Sequence, residues 1–223
     1  MKHRLTVYEG VNQTVLSLVP RSANCILDVG CGTGALGGCL RHERHRTIVG
    51  ITYSPQEAEQ AARRLSRVIC ADLNTFDFRS LGKFDCVILS HILEHLYAPE
   101  DLLHRIRPLL SAGSVLLIAL PNVLWWRQRL EFLLGRWRYQ DWGILDRTHF
   151  RFFDQQSSRH LIEDAGYEIV RALPDGPFPL TSRFRKQLGP VHVVLDRIGC
   201  LIAPGLFAQQ FLYLAQLTKA PGA

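Results

Sequence analysis

Three glycines follow directly after the first strongly apolar run of the chain, Cys25–Val29. Gly30, Gly32 and Gly34 alternate with single residues, so the backbone can pass close beneath a ligand, and the helix that follows offers free amide donors. Asp28 adds a carboxylate, which suits a cationic amino group and disfavours a diphosphate. The pattern therefore predicts a site for a zwitterionic ligand, and its glycine spacing differs from the dinucleotide fingerprint.

A second set of residues suited to chemistry combines histidines with one carboxylate. His91, Glu94 and His95 are spaced i, i+3 and i+4 after a predicted strand, which places them on one face of a predicted helix. His149 lies further along the chain. In one interpretation, Glu94 and His95 form a buried pair that braces the helix, and His149 alone acts as a base. In the other, all four side chains hold a divalent metal, because imidazoles with one carboxylate are a known ligand set.

The elements that must position these residues follow from apolar runs that alternate with helical patterns. Five runs predict buried parallel strands, at Cys25–Val29, Arg46–Ile51, Arg67–Ala71, Phe84–Leu89 and Ser114–Leu120. Two later runs predict further strands, at Tyr167–Leu173 and Gln210–Leu217. Strands and helices at this spacing predict an α/β fold with a doubly wound sheet, in one domain over residues 1–223.

The composition is that of a folded protein with a basic balance. Of 223 residues, 47% are hydrophobic and 21% charged, which excludes disordered and low-complexity classes, and the net charge is +6. Nucleic acid is not expected as a partner, since no recognisable RNA-binding or DNA-binding module accompanies the basic residues. The six cysteines form no Cys-x-x-Cys pair, and Met1–Val11 lacks an apolar leader, so a cytoplasmic location is predicted.

The glycine turn resembles that of the class I S-adenosylmethionine-dependent methyltransferases. The matching segments are Ile26–Gly34, Asp72-Leu73, Ser90-His91 and Leu120–Asn122. The resemblance implies a Rossmann-like sheet of order 3-2-1-4-5-7-6 with strand 7 antiparallel, and S-adenosylmethionine as cofactor. It further implies that the cofactor is bound by Asp28, Gly30, Cys31, Gly32, Gly34, Thr52, Tyr53, Asp72, Leu73 and Ser90.

One position departs from the family pattern. Most members carry a carboxylate at the end of the second strand for the ribose hydroxyls, whereas this chain has Thr52. A similar Gly-Ile-Thr-x-Ser sequence occurs in cyclopropane fatty acid synthases and some N-methyltransferases. We expect Thr52, helped by Gln56 or Glu57, to replace the carboxylate.

The histidine cluster carries a further resemblance. Plant small-RNA 2′-O-methyltransferases and ubiquinone O-methyltransferases have Glu-x-x-Glu-His where this chain has His91-x-x-Glu94-His95. The resemblance implies a divalent metal at His91, Glu94, His95 and His149, and the exchange of the first Glu for His leaves the identity and occupancy of the metal open.

Two segments, about 122–153 and 175–207, are expected to cover the acceptor side. The first is rich in tryptophan and arginine and resembles a bacterial methyltransferase subfamily that accompanies glycosyltransferases for surface polysaccharides and natural products. Tyr139, Trp142 and Arg147 are its candidate acceptor contacts. The second segment is apolar and basic by turns, so capping of the site, packing in a homodimer and peripheral membrane contact all remain open.

The sequence therefore predicts methyl transfer to a hydroxyl or amine of a small molecule or glycan, with His149 and His91 as catalytic candidates. Two alternatives use the same cofactor site. One is an intramolecular cyclase or lyase that releases methylthioadenosine, and the other is a cofactor-binding regulatory partner without catalysis. The sequence allows either a monomer or a homodimer.

Overall fold

One seven-stranded sheet organises the chain in a computed structural model, which describes residues 10–218. The outer parts of the predicted domain, including most of Met1–Val11, lie outside the described residues. The strands are β1 Cys25–Val29, β2 Thr47–Thr52, β3 Arg67–Cys70, β4 Phe84–Ser90, β5 Leu110–Pro121, β6 Tyr167–Asp175 and β7 Gln210–Leu217. Their order is β3-β2-β1-β4-β5-β7-β6, and β7 runs antiparallel to both of its neighbours. The predicted fold class and strand order are confirmed.

Helices cover both faces of the sheet and begin where local sequence signals place them. They are α1 Gln13–Leu18, α2 Ala35–Glu43, α3 Pro55–Ala62, α4 Pro99–Ile106, α5 Trp126–Leu133, α6 Gln155–Asp164, α7 Ser182–Leu188, α8 Val191–Ile202 and α9 Pro204–Phe207. Ser54 caps α3 by accepting a hydrogen bond from the Glu57 amide, and Pro55 occupies the first helical position. Asp154 and Ser157 form a reciprocal cap on α6.

The predicted helix that carries His91, Glu94 and His95 on one face is wrong. The structure has a single 3-10 turn, Leu93–His95, and His91 precedes it with a φ of 53° in the left-handed region. The amide of His91 donates to the Ala119 carbonyl of β5, so the sheet still holds the backbone at this residue. A right-handed helix cannot include His91 in this conformation, because every residue of such a helix needs a negative φ.

Alternating strand residues form the core on the two faces of the sheet. Leu27 and Leu89 belong to one buried cluster, whereas Ile26 and Ile88 belong to the other. In the second cluster, Leu65 packs where three glycines leave room for it. A Cβ on Gly37 or Gly50 would lie 2.4 Å from a Leu65 methyl group, and one on Gly34 would lie 3.1 Å from Leu65 Cγ.

Residues 122–153 and 175–207 leave the sheet at the carboxyl ends of its parallel strands. The buried Asn122 connects the two segments. Its side-chain NH2 group donates to the carbonyls of Gly205 and Ala208, and its backbone N–H donates to the Gln209 carbonyl. Between residues 10 and 218, no helix has the length and apolar content needed to cross a membrane. The cytoplasmic location stays a prediction.

Two adjacent glycines of α2 provide a matched test of the packing around Leu65. We expect Gly37→Ala to lower the free energy of unfolding by about 1–2 kcal/mol, because its methyl group overpacks the buried Leu65 and Ile48. Gly38→Ala gains the same helix propensity and meets only ordinary contacts with Arg64, so it should raise that free energy by about 0.5–1 kcal/mol. Urea unfolding of both variants measures the two changes. Equal shifts would contradict this account of the packing.

Candidate active site

The glycine turn after β1 stays attached to the neighbouring strand. The amides of Gly30 and Cys31 both donate to the Ile51 carbonyl, at 2.8 and 2.9 Å. Gly30, Gly32 and Gly34 have φ values of 79°, 52° and 75°, a region that side chains other than glycine rarely adopt. A Cβ on Gly30 would lie 2.7 Å from the Ile92 side chain. The turn is thus narrow, and the peptide groups of its backbone face the carboxyl edge of the sheet together with the start of α2.

Asp28 carries a buried carboxylate directly before this turn. Its side chain is only 3% exposed, and Oδ2 is buried with no hydrogen-bond partner among the described residues. Burial raises the pKa of Asp28 to about 7. An unpaired buried carboxylate is costly, and a cationic ligand group would relieve that cost.

A second carboxylate lies at the end of β2, although the strand itself ends in threonine. Thr52 is buried, and its hydroxyl donates to Glu57 Oε2 at 2.8 Å. Glu57 lies in the first turn of α3, where the helix amino end favours a negative charge. From the sequence alone, Glu57 is expected only to help Thr52. The signal that could have identified it was its position three residues after the cap Ser54, which turns it back toward the strand.

The remaining predicted cofactor residues lie along the same edge of the sheet. Asp72 follows β3, and its carboxylate accepts hydrogen bonds from the backbone and side-chain nitrogens of Asn74. Leu73 is buried, and its carbonyl accepts a hydrogen bond from Arg105. Tyr53 is exposed after β2, and Ser90 ends β4 half-buried. Cys31 is buried, and burial together with the nearby Asp28 and Glu57 raises the pKa of its thiol.

His91 has an oxygen close to each of its ring nitrogens. Nδ1 lies 3.2 Å from Glu94 Oε1, and Nε2 lies 2.9 Å from Gln210 Oε1. The Gln210 side-chain amide donates to Asp175 Oδ2, which orients its oxygen toward His91. Burial opposes the charge on His91, but Glu94 and Gln210 outweigh it and hold the pKa of the imidazole above its usual value. His91 therefore acts as a double donor in this arrangement.

Glu94, His95 and His149 converge on one point. One ligand atom from each lies within 4.8 Å of the others. The amides of Phe150 and Arg151 both donate to the Glu94 carbonyl, which brings the segment with His149 against residue 94. His91 is not part of this convergent set, so the structure brings together three of the four residues expected at the metal.

The Glu94 side chain is fully buried, and its Oε2 has no hydrogen-bond partner within residues 10–218. Burial would raise the pKa of this carboxyl, but the imidazoles of His91, His95 and His149 outweigh burial and hold it below its usual value. For His149, burial is the main cause that lowers the pKa of its imidazole. The cluster therefore combines a buried carboxylate whose charged form is favoured with the His149 imidazole, whose burial favours its neutral form.

Two outer contacts set which nitrogen each histidine can offer. His149 Nδ1 lies 3.1 Å from the Ile144 carbonyl, which can only accept, so Nδ1 carries the proton and Nε2 keeps its lone pair. The Thr148 hydroxyl donates to Asp146 Oδ1 and lies 3.0 Å from His95 Nδ1, so it accepts the His95 proton. Nε2 of His95 is then also a lone-pair donor. Neither Thr148 nor the Ile144 carbonyl carries a signal in the sequence, because their contacts with the two histidines depend on the fold.

The three candidate acceptor contacts lie on the exposed part of segment 122–153. Arg147 pairs with Asp141 at 2.7 Å, and Tyr139 packs edge-on against Trp137. Trp137 in turn contacts Phe152, whose ring lies 6.1 Å from that of His149. Tyr139 is thus connected to the histidine cluster by a chain of rings, whereas Trp142 is 68% exposed.

Burial of the Asp28 carboxyl lowers the free energy of unfolding of the ligand-free protein. We expect Asp28→Asn to raise the free energy of unfolding of the ligand-free protein by about 2 kcal/mol at pH 8. Because the folded pKa lies above the ordinary value of 3.8, the cost of this carboxyl grows as pH rises from about 4 and levels off above about 7. Urea unfolding at pH 5 and pH 8 should therefore show the larger gain at pH 8. The exposed Asp164→Asn is the control, and an equal gain at both pH values would contradict the assignment.

Comparison with known proteins agrees with this geometry. A family profile described as a methyltransferase domain matches residues 3–172. An uncharacterized methyltransferase of Mycobacterium tuberculosis is 29% identical over 119 residues, which cover 49% of this chain and 59% of the relative. The O-methyltransferase cnsE of Penicillium expansum is 32% identical over 123 residues, which cover 52% of this chain and 43% of the relative. The chain thus spans about half the length of these curated relatives.

Among solved structures, the S-adenosylmethionine-dependent methyltransferase from Archaeoglobus fulgidus superposes with a TM-score of 0.60. The two are 18% identical, and the match covers 93% of this chain and 95% of the other. At that identity, the likeness shows the fold. Because the family profile spans most of the chain and the strand order agrees with it, this protein belongs to the class I S-adenosylmethionine-dependent methyltransferase family.

Proposed function

We propose that this protein transfers the methyl group of S-adenosylmethionine to a hydroxyl or amine of a small molecule or glycan. The observation that carries the proposal is the unpaired, buried Oδ2 of Asp28 beside the glycine turn. The ligand that fits must present a cation to Asp28 and lie close to the turn backbone. The amino acid end of S-adenosylmethionine has an ammonium group for the first requirement and a carboxylate for the free amides at the α2 end.

The other predicted residues take the nucleoside part of the cofactor. Glu57, oriented by the Thr52 hydroxyl, provides the carboxylate that ribose hydroxyls require. Asp72 and Leu73 follow β3 on the same edge and bound the adenine position. The remaining contacts of this site are Cys31, Tyr53 and Ser90.

Methyl transfer needs alignment of the acceptor and removal of its proton. When bound, S-adenosylmethionine supplies a methyl group on a sulfonium, which leaves as a neutral thioether while the acceptor oxygen or nitrogen forms the new bond. Without a cation in the cluster, the Nε2 lone pair of His149 beyond β4 can accept the acceptor proton. The Penicillium relative, named as an O-methyltransferase, supports an oxygen acceptor.

We also propose that Glu94, His95 and His149 hold a divalent cation. The fit rests on three observations: the ligand atoms converge, Glu94 Oε2 is buried without a partner among the described residues, and outer hydrogen bonds leave Nε2 free on both histidines. Two imidazoles and one carboxylate suit a transition metal better than Mg²⁺ or Ca²⁺. Such a cation would occupy the Nε2 lone pair of His149, and it would activate an acceptor hydroxyl by lowering its pKa instead. His91 is then a positioning residue that holds Glu94 Oε1.

We propose that the acceptor contacts Tyr139, Trp142 and Arg147. Aromatic rings beside arginines suit a sugar or aromatic acceptor that carries an anionic group. The chain of rings from His149 to Tyr139 gives such an acceptor a continuous surface toward the cluster.

Product analysis tests the reaction. Purified protein is incubated with S-adenosylmethionine alone and then with candidate acceptors, and both nucleoside products are followed by mass spectrometry. We expect S-adenosylhomocysteine only when an acceptor is present. Asp28→Asn should weaken S-adenosylmethionine binding about tenfold or more, although the same change stabilises the ligand-free protein.

Other products would identify the alternatives. Methylthioadenosine without an acceptor would overturn methyl transfer in favour of an intramolecular cyclase or lyase. Cofactor binding without any product, together with a dispensable His149 and stimulation of a partner enzyme, would indicate a regulatory protein.

Metal analysis tests the cation site separately. Protein dialysed against Zn²⁺ or Mn²⁺ should retain about one equivalent, and His149→Ala should abolish retention. Thr148→Val keeps the side-chain shape but removes the hydroxyl that orients His95, so we expect about a tenfold to hundredfold loss of metal affinity. The exposed His160→Ala is the control. Metal-free protein with activity that resists EDTA would eliminate the cation and leave His149 as the base.

A further inference from the structure

Segments 122–153 and 175–207 carry most of the excess positive charge of the protein. The first has six arginines against three acidic residues, and the second has four cations against two acidic residues. Together they account for five of the six net charges, so the rest of the chain is nearly neutral. Both segments leave the sheet at its carboxyl edge. The charge is therefore concentrated on one end of the molecule.

The same segments expose large apolar side chains in a regular pattern. On α8, Leu201 and Ile202 are 76% and 77% exposed. The exposed face continues toward the start of the helix at a spacing of three or four residues, through Ile198, Val194 and Val191. On and just after α5, Leu133 is 85% exposed, and Leu130 and Leu134 are also exposed. We call these two sets, with Arg136 and Arg138 after α5 and Arg183 and Lys186 on α7, the basic apolar surface.

The contacts beneath this surface fix its direction. The opposite face of α8 is buried, because Gly199 packs against Phe178 and Cys200 contacts the Gly176 carbonyl. Asp196 pairs with Arg185 at 2.5 Å and accepts a hydrogen bond from the Phe178 amide, which ties α7 to α8. The exposed apolar side chains of α8 therefore point away from the protein interior.

A hydrogen bond ties α5 to α9, the short helix that directly follows α8. The Arg129 guanidinium on α5 donates to the Gly205 carbonyl on α9, directly after the exposed end of α8. The buried Asn122 donates to the same carbonyl. The exposed residues of α5 and α8 are thus held on one end of the molecule by hydrogen bonds.

We propose that the basic apolar surface binds the surface of an anionic phospholipid bilayer. Leucine, isoleucine and valine side chains on an amphipathic helix enter the boundary between headgroups and acyl chains, and neighbouring arginines and lysines contact the anionic headgroups. The exposed Trp142 and Tyr139 of the same segment are residue types that prefer this boundary. The surface lies at the edge where the acceptor must enter, so binding would bring the candidate active site to the membrane.

Charge and chemistry disfavour other occupants. A symmetric pair of copies would bring two identical cationic faces together, and like charges repel at such an interface. A nucleic acid would use the arginines but would not cover a stripe of aliphatic side chains. An anionic bilayer satisfies both features. The proposal goes beyond methyl transfer and does not depend on it.

Vesicle flotation without cofactor tests the proposal with the full chain. We expect the protein to float with vesicles of phosphatidylglycerol and phosphatidylcholine in equal parts, to bind vesicles of phosphatidylcholine alone much more weakly, and to release partly at high salt. The paired change Leu201→Ser and Ile202→Ser should lower partitioning about tenfold or more. Arg136→Glu with Arg138→Glu should lower it to a similar extent.

Matched changes elsewhere keep the test specific. Arg21→Glu with Arg44→Glu makes the same charge change at the amino edge of the sheet, and Val170→Ser removes an exposed apolar side chain from β6. We expect both controls to bind vesicles like the unchanged protein. Thermal unfolding by circular dichroism shows whether each variant is folded.

Three outcomes would overturn the proposal. One is a failure to bind either kind of vesicle. Another is binding that the arginine pair abolishes but the Leu201 and Ile202 pair leaves intact, which would indicate a general polyanion surface. The last is a stable dimer that the Leu201 and Ile202 changes convert to a monomer, which would assign the face to a second copy.

Discussion

Two amide hydrogen bonds onto the Ile51 carbonyl constrain much of this structure. They require the chain to turn sharply after β1 while it remains attached to β2. The turn needs positive φ values, which glycine adopts without steric strain. The same turn directs α2 so that Leu65 fits against Gly34, Gly37 and Gly50. The shape of the candidate cofactor site and the packing of one face of the sheet therefore share a single cause.

Two buried carboxylates lie at the candidate site, and their surroundings shift their pKa values in opposite directions. Asp28 lies among apolar strands with one oxygen unpaired, so burial raises its pKa. Glu94 is as deeply buried but lies among three imidazoles, which hold its pKa low. Asp28 can therefore bind a cationic group of a ligand. Glu94 is already charged, and its unpaired Oε2 can contact a further positive group. Asp28 therefore costs stability at the carboxyl edge of the sheet, where ligands bind in folds of this type, whereas the imidazoles compensate for the burial of Glu94.

A polar network connects the histidine region with the basic apolar surface. Gln210 accepts a hydrogen bond from His91 and donates one to Asp175. Asp175 ends β6 and begins segment 175–207, and Gln210 begins β7 three residues after that segment ends. Asn122 connects the base of segment 122–153 to the same region through Gly205 and Ala208. Both segments are therefore fixed at their origins on the sheet.

The sequence by itself determined the strands, the glycine turn and the position of Asp28, because apolar runs, glycine spacing and helix caps act over a few residues. The strand order was implied by the resemblance to the family. It also indicated the histidines and Glu94 as a chemical set. Tertiary structure alone decided that His95 and His149 converge on Glu94 while His91 turns to Gln210, and that Glu57 supplies a carboxylate beside Thr52. The reason is physical: the direction of a side chain depends on backbone angles such as the positive φ of His91, and on contacts between segments some 50 residues apart, such as Thr148 with His95.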